Sequence, residues 1–109
     1  MTQDTSYDFI AKLQFLTHQE GGRKSFASSG YSPHFKLLDR DTRTSAKQTF
    51  IGKNMVEPGE QINSEISMLG IHAFEGLLDI GTRFELLEGS RLIARGEIIK
   101  VTNERLKKR

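Results

Sequence analysis

Cysteine and tryptophan are absent from this 109-residue chain, and proline occurs twice, at Pro33 and Pro58. Without cysteine there is neither a disulfide framework nor a thiolate metal site, which fits a reducing compartment. No apolar run approaches the roughly 20 residues of a membrane-spanning helix, and the opening residues 1–5 (MTQDT) are polar and acidic, unlike a secretory leader. A soluble, cytoplasmic protein with no membrane contact is therefore expected. A phosphate-cradling loop of the form G-x-x-x-x-G-K-[ST] is also missing, because Gly52-Lys53 lacks the upstream glycine, so no GTP site is expected. His18, His34 and His72 share no metal-ligand spacing on one strand face, and the expected cofactor content is none. No nucleophile is patterned with a base, and carboxylates such as Asp39, Asp41, Glu57 and Glu97 fall in turns or on outward strand positions. The chain is not expected to be an enzyme.

Neither sign of charge dominates the body of the chain. Lys100, Arg105, Lys107, Lys108 and Arg109 against Glu104 give the last ten residues a charge of +4, which leaves −2 on the rest of a chain whose total is +2. The basic character thus belongs to a C-terminal tail, residues 103–109, read as a solvated end.

What is present is alternation with period two, the mark of half-buried strands. In residues 8–17, Phe9, Ala11, Leu13 and Phe15 point one way and Lys12 and Gln14 the other. Residues 20–35 then pack Gly21, Gly22 and Gly30, Pro33, Arg23 and Lys24 into a long shaped loop between two strands. Further strands are expected over residues 34–38, 48–53, 61–69, 83–87 and 91–102, with charged residues 39–44 as a turn and Glu57-Pro58-Gly59-Glu60 as another. Ser64 is a small inward residue of the fourth strand. Leu92, Ala94, Gly96 and Ile98 share a face of the last one, where Ala94 and Gly96 admit a close neighbour or a bulge.

Residues 70–81 carry Ile71, Phe74 and Leu78 at helical spacing, but Gly76 interrupts them, so one or two turns are expected there, with Phe74 laid over the core. Phe9, Phe15, Phe35, Phe50 and Phe84 supply nearly one aromatic ring per strand, each contributing roughly 1.5–3 kcal/mol on burial, most of it offset by conformational entropy. Six strands with turns about every ten residues give an all-β fold, a small antiparallel barrel or sandwich. Its expected extent is residues 8–102, after an N-terminal extension over residues 1–7.

Several motifs in order sharpen this picture: Leu16-Thr17 with Glu20-Gly21-Gly22-Arg23, Ser29-Gly30-Tyr31 with Pro33 and Phe35, Val56 with Pro58-Gly59-Glu60, Gly81 with Arg83-Phe84, and Glu88-Gly89 with Arg91. Together they resemble the third, C-terminal β-barrel domain of bacterial elongation factor Tu, over residues 9–101. The resemblance implies a small closed six-stranded antiparallel barrel, here without the GTPase motor, so that GTP hydrolysis and aminoacyl-tRNA delivery do not transfer. It also implies a binding surface for the T-stem of tRNA at Arg23, Lys24, His34, Glu88 and Gly89, where a cation and backbone amides hold phosphate and ribose and His34 donates to a 2′-hydroxyl. Ser32 stands where the family usually has arginine, and Asp39-Arg40-Asp41-Thr42-Arg43 replaces a neutral, threonine-rich turn. The expectation is a non-catalytic protein-interaction module that presents this domain-like surface and binds or shields a translation-related protein. The alternatives are weak contact with a tRNA-like duplex through the glycine loop and last turn, and a homodimer through an uncovered apolar face.

Overall fold

Every amide of a strand must find a partner, and a sheet that closes on itself leaves no edge exposed. The computed structural model describes residues 7–109, in which eight strands are found: β1 (Phe9–Phe15), β2 (Ala27–Ser28), β3 (His34–Leu37), β4 (Arg43–Phe50), β5 (Met55–Val56), β6 (Gln61–Met68), β7 (Arg83–Glu88) and β8 (Arg91–Val101). Six of them form a closed, antiparallel barrel in the order β1-β6-β4-β3-β7-β8, sealed by β1 against β8, and β2 with β5 makes a separate two-stranded flap. Of the expected extension over residues 1–7, Met1 to Ser6 lie outside the described residues.

Inward positions follow the period-two pattern closely. Phe9, Ala11, Leu13 and Phe15 are buried along β1, and Ser64, Ile66 and Met68 along β6. Four rings fill the lower half of the barrel, with Phe35 4.8 Å from Phe84, 5.3 Å from Phe74 and 5.6 Å from Phe9 between centroids. Phe15 and Phe50 form an edge-to-face pair of their own at 6.0 Å. Phe74 reaches the core from a single 3-10 turn, His72–Phe74, in the connection between β6 and β7, as the sequence pattern suggests.

Three expectations need correction. The strand expected over residues 48–53 begins earlier, at Arg43, and ends at Phe50. Its inward residues are Thr44, Ala46, Gln48 and Phe50, so polar and small side chains conceal the alternation. Gln48 is fully buried because Ser64 Oγ donates to its Oε1 at 3.0 Å and its own Nε2 donates to the Ala46 carbonyl at 2.8 Å. In β8 it is Ile93, not Leu92, that lies fully in the core: the register slips between Leu86 and Leu87 of β7, opposite this point, and turns the extra residue inward. Lastly, the loop over residues 20–35 is not free throughout, since Ala27 and Ser28 pair with Val56 and Met55.

The basic end of the chain does not fray. Beyond β8, Asn103 caps a 3-10 turn, Glu104–Leu106, by accepting from the Arg105 amide, and Leu106 is fully buried. The segment then runs parallel to the β6–β7 connection: Gly76 N donates to Arg105 O (2.9 Å), Leu78 N to Leu106 O (2.8 Å) and Lys108 N to Leu78 O (2.8 Å). Asp8 ties this seam to the start of the barrel. Its carboxylate accepts from Met68 N at 2.7 Å and Asn103 Nδ2 at 2.9 Å, and its carbonyl accepts from the amides of Thr102 and Asn103.

Candidate functional site

By strand register, the end of β1 and of β7 and the starts of β3, β6 and β8 lie at one end of the barrel, the upper rim. All but one of the motifs quoted above come together there, from stretches far apart in sequence; Gly81 with Arg83-Phe84 sits at the opposite end. The glycine loop is built first. Thr17 and Glu20 close a reciprocal box in which Thr17 N donates to Glu20 Oε1 (2.8 Å) and Glu20 N to Thr17 Oγ1 (3.1 Å). Those hydrogen bonds hold the Glu20 carboxyl below its ordinary value. Gly21 follows with φ +97°, and a Cβ on Gly22 would lie 2.6 Å from the Leu16 carbonyl oxygen, so both glycines are required by the turn. The Glu57–Glu60 turn abuts this loop: Gly59 faces the Thr17 methyl, and Glu60 carries both the Glu57 amide and Lys53.

Arg23 leaves the loop in the direction of β7. Its Nη1 donates to Glu88 Oε2, its Nε and Nη2 donate to the carbonyls of Ser25 (3.3 Å) and Phe26 (3.1 Å), and its guanidinium lies 4.8 Å from the centre of the Tyr31 ring. Tyr31 Oη donates to the same Glu88 oxygen. Burial and then the Glu88 carboxylate push the Tyr31 phenol far above its ordinary value, so it stays a proton donor. Burial would by itself lower the Arg23 pKa, but its bonds to Tyr31 and Glu88 outweigh that and raise it. The three side chains form a latch that fixes the loop and the start of the flap onto the end of β7.

Arg23, Tyr31, His34, Glu88 and Gly89 are thus brought together. Tyr31, Ser32, Pro33, His34, Glu88 and Gly89 line an open depression of about 180 Å³. His34 is exposed there, at the start of β3 opposite Leu87, and Lys24 is exposed on the loop; neither side chain has a partner among the described residues. Arg23 and Glu88, by contrast, are occupied with each other.

Three features of the rim are absent from the sequence-based set. Tyr31 is the hub of the latch, and its place between Gly30 and Pro33 was the signal available. Arg43 reaches the Gly89 carbonyl with its Nη1 at 2.8 Å, from a stretch expected to be a turn. The flap presents apolar side chains outward: Met55 lies opposite Ser28, Phe26 falls two residues before Ser28 on the same face, and Phe26, Met55 and Ile51 are 43%, 51% and 44% exposed.

A closed six-stranded antiparallel barrel with turns and loops shaped together at one rim defines a small all-β barrel module. The chain belongs to the family described as the elongation factor Tu C-terminal domain, which it matches over residues 2–102. The match ends where β8 ends, so the docked segment from Asn103 onward lies beyond it. The barrel expected from the resemblance is the barrel found, and the protein is a translation-factor-related module. No helix among the described residues is long and apolar enough to cross a membrane.

Proposed function

We propose that this module is non-catalytic and binds a protein partner of the translation apparatus through its upper rim, presenting a surface like that of the third domain of elongation factor Tu. The observation that carries this reading is the apolar flap beside a latch whose charges neutralise one another. Arg23 is already bonded to Glu88 and two carbonyls, so little of its charge is left to hold a phosphate. Phe26, Met55 and Ile51 each leave about half their surface in water, and covering them would contribute roughly 1 kcal/mol apiece. An apolar centre with a polar margin of Lys24, His34 and Glu57 matches the anatomy of a protein interface.

The test is affinity capture with the purified chain, with and without nuclease. A translation protein retained after nuclease, and lost when Phe26→Ser and Met55→Ser are combined, supports the reading. Recovery of RNA alone, released by nuclease, sinks it. That second outcome would favour the other reading, a rim contact with a tRNA-like duplex, for which the free side chains of Lys24 and His34 speak. A second copy covering the flap would appear as a dimer on size-exclusion chromatography that dissociates in the same double variant.

A further inference from the structure

The end of the barrel opposite the rim holds a depression of about 300 Å³ that the reading of the rim leaves unused. Elements far apart in sequence build it. The end of β3 and the turn that follows contribute Leu38, Asp39 and Arg40, the connection before β7 contributes Leu77, and β7 opens with Arg83. Lys108 completes the wall. It is brought there by the docked C-terminal segment, whose position is fixed by the Lys108 amide on the Leu78 carbonyl at 2.8 Å and by the buried Leu106.

Two chemistries meet in this hollow. Leu38 is 55% exposed and Leu77 is half-buried, so an apolar surface is left open to water. Around it stand three cations and one carboxylate, a local charge of +2. The side chains of Arg83 and Lys108 have no partner among the described residues, and Arg40 has only a 3.8 Å contact with its neighbour Asp39. Glu97, opposite Arg83 in the register of β7 and β8, forms no ion pair with it. A surface of this kind is complementary to an apolar side chain carried next to carboxylates, whose charges meet the cations while the side chain covers the leucines. It suits a phosphate backbone poorly, because the leucines would face phosphates and no aromatic side chain lines the hollow for a base to stack on. Its volume also lies at the bottom of the range for pockets that enclose a whole small molecule, and it is open, so it fits an anchor projecting from a larger molecule.

We propose that this hollow docks an acidic peptide segment of a protein partner, a leucine-like side chain against Leu38 and Leu77 with flanking carboxylates on Arg40, Arg83 and Lys108. The C-terminal segment thereby acquires a role, because Lys108, which lies after the residues matched by the family, supplies one of the three cations. The site does not rest on the reading of the rim, and failure of capture there leaves it standing.

The probe is a fluorescein-labelled peptide of about ten residues, central leucines flanked by glutamates, titrated by fluorescence anisotropy from about 50 mM salt upward. Binding is expected at low salt and should weaken as salt rises. Combining Arg83→Gln with Lys108→Gln should weaken it about fivefold to tenfold, and so should Leu38→Ser, which removes the apolar wall and leaves every charge in place. Replacing the leucines of the peptide by serine should cost about tenfold. Lys100→Gln, an equal loss of charge at an exposed position of β8 outside the hollow, should leave affinity within about twofold. All four substituted positions are exposed, and circular dichroism melts confirm that each variant keeps the barrel. Absence of binding at low salt would overturn the proposal, as would binding that survives both the Arg83 and Lys108 variant and Leu38→Ser. Equal affinity for the serine peptide would sink the apolar anchor, and an oligonucleotide that displaces the probe as well as unlabelled peptide does would sink the assignment to a peptide.

Discussion

Gly96 and Phe84 face each other across β7 and β8, and a Cβ built on Gly96 would come within 2.2 Å of the Phe84 ring. The glycine is required here by packing and not by φ, because the ring of Phe84 occupies the space a side chain would fill. Gly96→Ala is therefore expected to destabilise the barrel by about 1–3 kcal/mol, the range for overfilling a dense core, measured by urea unfolding. Adding Phe84→Leu should recover part of the loss, whereas two independent effects would sum. The small residues at 94 and 96 announce a close approach in the sequence, but the partner could not be named without the fold. The same holds at the rim. Arg23 and Glu88 were legible as site residues, and only the structure reveals that they lie together with Tyr31 and neutralise each other, since they are 65 positions apart.

At the scale of elements, the C-terminal segment departs most from its composition. Five cations in ten residues suggest a solvated end, yet one apolar side chain, Leu106, decides its place by filling a socket beside Leu78 and Phe74. Leu106→Ala should cost about 2–5 kcal/mol in thermal or chemical unfolding, while Lys107→Ala should fall within about 0.5 kcal/mol; equal and negligible effects would indicate a segment that does not dock. The closing turns make a second prediction. Glu20, Glu60 and Glu75 are each held below the ordinary value of 4.5, Glu20 by the backbone and hydroxyl of Thr17, Glu60 by the Glu57 amide and Lys53, and Glu75 by Arg105 and His72. A carboxyl depressed in the folded state adds stability that is complete above its unfolded value and is lost as pH falls through its folded one. Melting temperature should thus be flat from neutrality to about pH 5 and decline below 4.5, and combining Glu20→Gln with Glu75→Gln should flatten that decline. A decline unchanged in the double variant would assign it to other groups.

For the whole molecule, closure is made between the first and last barrel strands, β1 and β8, and reinforced by Asp8 bonding to residues 102 and 103. The barrel cannot be sealed until both ends of the sequence meet. Folding should accordingly be cooperative and slow for its size, on the millisecond-to-second scale, with fluorescence of Tyr31 and far-ultraviolet circular dichroism following one rate. A microsecond phase that forms most of the sheet would contradict this.

Alternating apolar residues, positive-φ turns at Gly21 and Gly59, and phenylalanines in four of the six barrel strands were enough for the sequence alone to determine an all-β chain with most of its strand positions and core residues. These are local properties, carried by period two and by which residues tolerate a left-handed turn. Tertiary structure alone decided the rest: that β4 starts at Arg43 behind a buried glutamine, that Ile93 turns inward, that a basic end docks, and that Arg23 is latched while Lys24 stays free. Each depends on a contact between residues distant in sequence, where the cost of burying a polar group or leaving a charge unpaired is settled by a neighbour that no local pattern identifies.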